Sequence, residues 1–219
     1  MIGRIVGGVA MAALAAGAAG AQQRPELGYG LAVTSNYIDK GSTQSNDNPA
    51  VQGYVEGSLG MVYGGAWAST VDFPGDSDLA GDQVKLDLYA GLRHTFDLLT
   101  LDASYYRYLY DHTGDCCGEF KLAASYPMAD LGALAARIDY DPSDKHKWGE
   151  LGAELYFGQV WAAGGTVGTD FGSEDLDSRK VAYDLGLNRK LGDNANVDLR
   201  YYDSNLDPGH VVVSIGMDF

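Results

Sequence analysis

The sequence predicts an all-β fold, a transmembrane antiparallel up-and-down β-barrel of about twelve strands preceded by a cleaved signal peptide. Three observations predict it. Segment after segment alternates apolar and small or polar residues with period two, the pattern of strands with two unlike faces. The connections alternate between tight turns and long or charged loops. Residues 210–219, HVVVSIGMDF, form an alternating segment that ends on Phe219.

Residues 1–21 hold one Arg near the start, an Ala-, Val- and Leu-rich run and Ala19-Gly20-Ala21, the three-part pattern of a secretory signal cleaved before Gln22. The run is short and broken by glycine, and no later apolar stretch is long enough to cross a bilayer as a helix. The barrel is therefore expected over residues 22–219, a length that fits one domain. Without Arg4 the chain carries 14 Lys and Arg against 30 Asp and Glu, a net charge of −16. Nucleic acid is excluded as a partner, because phosphate binding needs basic patches. Thirty glycines and fifteen tyrosines favour twisted strands and aromatic belts.

The strands follow in order. Leu27, Tyr29, Leu31 and Val33 alternate with small residues in the first, and a polar loop over residues 37–49 follows. Val51, Val55 and Leu59 oppose Gln52, Tyr54, Glu56 and Ser58 in the second. In the third, Tyr63, Trp67, Val71 and Phe73 are expected outward against Gly64, Ala66, Ala68, Thr70 and Asp72. The fourth sets Val84, Leu86, Leu88, Ala90 and Leu92 against Lys85, Asp87, Tyr89, Gly91 and Arg93. The fifth sets Leu99, Leu101, Ala103 and Tyr105 against Asp102, Ser104, Tyr106 and Tyr108, with Arg107 read as a rim residue whose long side chain reaches the headgroups. The sixth carries Phe120, Leu122, Ala124 and Tyr126 against Glu119 and Lys121, and the seventh Leu134, Ala136, Ile138 and Tyr140 against Arg137 and Asp139. Leu151, Leu155 and Phe157 oppose Glu150, Glu154 and Tyr156 in the eighth; Trp161, Val167 and Phe171 oppose Thr166 and Asp170 in the ninth. Val181, Tyr183 and Leu185 oppose Asp184 in the tenth, Val197, Leu199 and Tyr201 oppose Asp198, Arg200 and Tyr202 in the eleventh, and residues 210–219 are the twelfth.

Strands of this length suit a tilted crossing of a bilayer. Long or charged connections after the odd strands and tight ones after the even strands place both chain ends in the periplasm of a Gram-negative bacterium, with the barrel in its outer membrane. Aromatics are expected in two belts: Tyr63, Tyr126, Phe157, Trp161 and Phe219 at the periplasmic rim, and Phe73, Phe120, Tyr140, Phe171 and Tyr201 at the outer one. The last strand resembles those on which outer-membrane barrels close, which implies that Phe219 is read by the barrel assembly machinery.

Residues 35–53, SNYIDKGSTQSNDNPAVQG, resemble the N-terminal signature of the TorF-family porins of proteobacterial outer membranes, and residues 65–73, GAWASTVDF, resemble the next block. Residues 87–91, 105–110 and 183–186 are similar to later ones, so the resemblance spans almost all of the mature chain. It implies a porin and names no substrate. Lys40 stands where that family has Arg, and Asp111 where it has Pro; Lys keeps the charge but not the planar fork.

No enzyme is expected. His94, His112, His146 and His210 fall in turns, loops or strand ends, none in a motif with a Ser and an acid, and no phosphate loop, zinc-protease motif or cofactor motif is present. Cys116 and Cys117 are adjacent, so a bond between them would need a vicinal ring; two loop thiols or intermolecular pairing are the blander readings. Asp76, Asp78 and Asp82, and Glu174, Asp175 and Asp177, lack a calcium-loop pattern and read as solvated loop charge facing lipopolysaccharide.

The lumen is the candidate site. Its expected lining is Glu56, Asp72, Lys85, Asp87, Arg93, Asp102, Tyr106, Tyr108, Glu119, Lys121, Arg137, Asp139, Glu150, Glu154, Asp170, Asp184 and Arg200. Such a mixture either braces a narrow barrel by cross-strand ion pairs or lines a pathway whose acidic excess favours small polar or cationic solutes. The two functional readings are a porin-like channel in the lipid bilayer and a closed barrel acting through its outer loops.

Overall fold

The computed structural model describes residues 24–75, 77–171 and 179–219. The signal segment and Asp76, Glu174, Asp175 and Asp177 lie outside the described residues. The chain runs β1 (Glu26–Thr34), β2 (Ile38–Asp39), β3 (Ser42–Thr43), β4 (Ala50–Leu59), β5 (Val62–Thr70), β6 (Val84–Phe96) and β7 (Leu99–Tyr110). It continues through β8 (Gly114–Pro127), β9 (Gly132–Tyr140), β10 (Lys147–Phe157), β11 (Trp161–Asp170), β12 (Val181–Lys190), β13 (Ala195–Ser204) and β14 (His210–Asp218). Twelve of these strands make one closed antiparallel barrel in chain order, while β2 and β3 form a separate hairpin. Closure gives every strand a partner on both sides, the condition for crossing a medium that cannot hydrogen-bond to backbone.

The seam is β14 on β1, in register from Gly30↔Asp218 to Thr34↔Ser214. Tyr29 and Phe219 extend it, exchanging backbone hydrogen bonds of 3.2 and 2.8 Å and stacking their rings with centroids 5.3 Å apart. The side chains are inverted relative to a water-soluble protein. Leu31, Leu122, Leu151, Leu185 and Val211 are exposed on the outside, whereas Asp139 and Asp198 are each 1% exposed within. A continuous apolar outer wall around a charged lumen is the surface a bilayer requires.

The structure alters the sequence reading at four places in the wall and its connections. In β5 the faces are reversed: Tyr63, Trp67 and Ser69 point inward, opposite Ser58, Tyr54 and Gln52 of β4, and Val62 and Thr70 are exposed outside. Large rings fill the lumen here and small residues meet the lipid, so the rule of apolar residues outside fails. Phe73 lies beyond β5, packed edge-on against Tyr110, and joins no outer belt. The connection between β7 and β8, expected to be long or charged, is a short charged turn of three residues at 111–113, because both strands run further than the sequence pattern suggests. Cys116 and Cys117 at the start of β8 are bonded to each other.

Trp148 of β10 shows how tightly the lumen is filled. Its ring, 1% exposed, lies over Gly168 of β11, where a Cβ would fall 2.3 Å from a ring carbon. Gly168→Ala is therefore expected to destabilise the barrel by about 1–3 kcal/mol through overpacking. Urea unfolding in micelles checks this, with Gly57→Ala, whose Cβ meets nothing within 4 Å, as the unperturbed control.

Candidate functional site: the lumen and its inserted loop

The first outer loop, residues 35–49, folds into the barrel. Lys40 and Gly41 take φ of 49° and 82° between β2 and β3, the two positive values of a tight type I′ hairpin turn. Gly41 also lies against the wall, where a Cβ would sit 2.7 Å from that of Ala182. Around the turn the loop is tied on every side. Ile38 packs on Tyr202 and Val212, and Tyr37 joins Ala50, Val71, Tyr108 and Tyr110 in an apolar cluster. Ser42 donates to Asp207 at 3.0 Å and accepts from Lys180, which itself pairs with Asp207 at 2.9 Å. Asp47 pairs with His210 Nδ1 at 3.0 Å, and Asn48 donates to Asp72 at 2.9 Å.

The loop places Lys40 at the centre of an ion cluster. Its Nζ lies 2.9 Å from Glu119 and 3.5 Å from Asp139. Lys121 faces the same pair at 3.1 and 3.9 Å, and Arg137 reaches Asp139 at 3.0 Å and Glu150 at 3.4 Å. The Tyr108 hydroxyl donates to Glu119 at 2.6 Å. Lys85 stands 4.7 Å from the Tyr108 ring centroid and 5.8 Å from those of Tyr37 and Trp67, with Asp87 at 3.8 Å. Burial disfavours both loop charges, and the cluster overrides it. Asp39 is held below the usual carboxylate range by Lys40, Lys85, Lys121 and Arg137, and Lys40 above the usual ammonium range by Asp39, Glu119 and Asp139.

Two further groups lie along the wall. Arg93 bridges Glu56 at 3.1 Å and Asp102 at 2.8 Å, with its guanidinium carbon 4.1 Å from the Tyr63 ring centroid. Arg200 pairs with Asp184 and, at 3.1 Å, with Asp198. Tyr106 stacks on Tyr89 with centroids 4.9 Å apart and has Lys121 at 4.6 Å; Glu154 is buried on β10. Between the loop and β10–β13 a cavity of about 20 Å³ is lined by Ile38, Lys40, Trp148, Glu150, Asp184 and Tyr202, room for about one water molecule.

Two of the residues expected in the lumen lie at its outer end: Asp170 shares the inward face of Trp148, opposite it on β10, whereas Asp72 does not. Asp72, beyond the end of β5 and exposed, bonds to Asn48, because the reversed phase of that strand turns it away from the lumen. Asp170 ends β11 and meets His146 Nε2 at 2.6 Å. The sequence pattern leaves Tyr37, Asp39 and Lys40 in a polar loop, sets Tyr63 and Trp67 outward and gives Trp148 no place, whereas in the structure their side chains line the inside. The signal for the loop was the apolar pair Tyr37-Ile38 followed by Lys-Gly, a turn within an otherwise polar stretch.

At the outer end, Asp82 is a brace and not a solvated loop charge. It is 2% exposed and accepts from the backbone N–H groups of His112 and Thr113 at 2.7 and 2.9 Å and from the Thr113 hydroxyl at 2.6 Å. Burial raises its pKa, but these bonds outweigh it and hold the carboxyl below its ordinary 3.8. A carboxylate with a depressed folded pKa stabilises above its unfolded pKa and loses that contribution as pH falls through the folded value. Asp82→Asn should therefore loosen the 111–113 turn at neutral pH, read as faster proteolysis there, and the difference from wild type should shrink only below about pH 4.

The fold is similar to that of the KdgM porin, with a TM-score of 0.61 and 8% identity over 88% of this chain and 97% of that one. It is also similar to the KdgM porin in complex with disordered oligogalacturonate, with a TM-score of 0.57 and 9% identity over 88% and 97% of the two chains. A third similar structure is the COG4313 outer membrane channel from Pseudomonas putida F1, with a TM-score of 0.55 and 12% identity over 92% and 97%. At such identities the likeness is one of fold. No curated protein matches the sequence. The family described as "Bacterial protein of unknown function (Gcw_chp)" matches residues 18–217, and the chain belongs to that family.

Proposed function

We propose that this protein is an outer-membrane, porin-like channel for the passive passage of small polar or cationic solutes, with the first loop as its constriction. The observation that carries the reading is a lumen charged along its wall, where the carboxylates Asp39, Glu56, Asp87, Asp102, Glu119, Asp139, Glu150, Glu154, Asp184 and Asp198 outnumber the cations Lys40, Lys85, Arg93, Lys121, Arg137 and Arg200. Acidic excess in a low-dielectric passage raises the local concentration of cations over anions. The resemblance of residues 35–53 to the TorF porins supports the same reading, and so does the fold shared with channels. KdgM is described with an oligogalacturonate; the acidic excess here argues against a polyanion as cargo.

The protein would reach the membrane by cleavage before Gln22, checked by N-terminal sequencing of the mature protein. It would be inserted by the assembly machinery through its Phe219 strand, with lipopolysaccharide around its outer rim. One observation favours the closed barrel as a second reading: the seated loop leaves room for about one water at its side.

Conductance separates the two readings. Refolded wild type in a planar bilayer is expected to open in steps, with potassium favoured over chloride by about twofold or more. Glu154→Gln should lower that preference without abolishing conductance. A heat-modifiable, correctly folded barrel that never conducts would replace the channel with the closed reading.

A further inference from the structure

Cys116 and Cys117 are the chain's two cysteines, and they are bonded to each other. A bond between chain neighbours joins no distant segments, and the loop it closes is too short to restrict the unfolded chain much. Its effect is local. Neighbouring side chains on a regular strand point to opposite faces, so a bond between them needs an irregular backbone. The register of β7 on β8 supplies it, passing from Tyr108↔Cys117 to Leu109↔Asp115 and leaving Cys116 as the extra residue of a β-bulge. Cys116 is exposed, and Cys117 packs partly buried on the apolar cluster of Tyr37, Tyr108 and Tyr110. The bond therefore reaches from water to the seat of the first loop. Cys117 lies across from Tyr108, whose hydroxyl donates to Glu119 at 2.6 Å, and Glu119 pairs with Lys40 at 2.9 Å. Tyr37, the loop's apolar anchor, rests in the cluster that Cys117 helps to close.

We propose that the bond between Cys116 and Cys117 is a redox switch for the first loop: intact, it holds the bulge and the loop stays seated; reduced by a small external dithiol, it lets the bulge relax and the loop leave the lumen. One thiolate of the dithiol attacks the exposed Cys116 Sγ, forms a mixed disulfide and expels Cys117 as a thiolate, which takes up a proton. The second thiolate attacks the dithiol's own sulfur in the mixed disulfide and releases Cys116, which is protonated in turn. Two electrons and two protons pass to the protein's sulfurs, and the dithiol leaves as a cyclic disulfide. Exposed disulfides are the labile and regulatory ones, and the exposed Cys116 gives a thiol its point of attack. With the tie gone, the two side chains can return to opposite faces and the bulge can relax. The setting of Tyr108 and the pocket of Tyr37 change together, so the loop loses its ionic and its apolar hold at once. The switch concerns where the loop stands, and it holds whether or not the barrel conducts.

The test uses the full mature chain refolded in proteoliposomes, either oxidised or treated with dithiothreitol. Free thiols are capped with iodoacetamide, amines are then acylated, and mass spectrometry reads both. Dithiothreitol is expected to raise the acylation rate of Lys40 by about tenfold or more. The exposed Lys145 should react equally in both samples. Reoxidation with diamide in place of capping should restore the protection of Lys40. Cys116→Ser/Cys117→Ser, or Cys116→Ser alone should the double variant refold poorly, is expected to react at Lys40 as the reduced protein does, with or without dithiothreitol. Heat-modifiable migration in gels reports that the barrel stays closed throughout. A bond that dithiothreitol opens only after the barrel unfolds would overturn the proposal. Capped thiols in a closed barrel whose Lys40 stays protected would do the same, as would a reduction that costs the barrel its heat-modifiable form.

Discussion

Asp139 has to be neutralised inside a barrel whose outside faces lipid, and much of the lumen's arrangement follows from that. A carboxylate 1% exposed near the end of β9 is tolerable only among cations, and it has three: Arg137 from its own strand, Lys121 from β8 and Lys40 from the inserted loop. Taking ions out of water costs several kcal/mol each unless their partners come with them. The first loop is thus more than a surface connection. Its lysine is part of the electrostatic balance of the wall, and its tight turn exists to deliver that lysine.

The two ends of the barrel differ accordingly. At the end with the tight turns the inward positions of β8–β10 include the small residues Ala123, Ser125, Ala133, Ala135 and Gly152, with the Arg93 cluster beside them on β4, β6 and β7. Toward the outside the lumen narrows against the loop, which is fastened to β12–β14 through Ile38, Ser42 and Asp47.

Most of the barrel was legible in the sequence because a membrane wall imposes a strict period. The β6, β12 and β14 faces alternate cleanly, and their inward and outward sets are those the residues suggested. The reading failed where the lumen itself prefers rings. In β5, Tyr63 and Trp67 serve as platforms for Arg93 and Lys85, so the bulky face lies inside and hydropathy points the wrong way. It failed again in the first loop, whose Lys-Gly turn lacks the asparagine or aspartate that usually marks a two-residue hairpin. Lys40 contacts Glu119 across 79 residues of chain, a pairing that no local pattern records.

The central claim is that Lys40 is seated inside the lumen, half-buried, and paired there. Amine acylation of the protein in proteoliposomes, read by mass spectrometry, tests it directly. Lys145, exposed in the loop after β9, should react quickly, while Lys40 and Lys85 stay protected until the barrel is unfolded. Lys40 reacting as fast as Lys145 in the folded protein would show that the loop stands outside the lumen and would contradict the account.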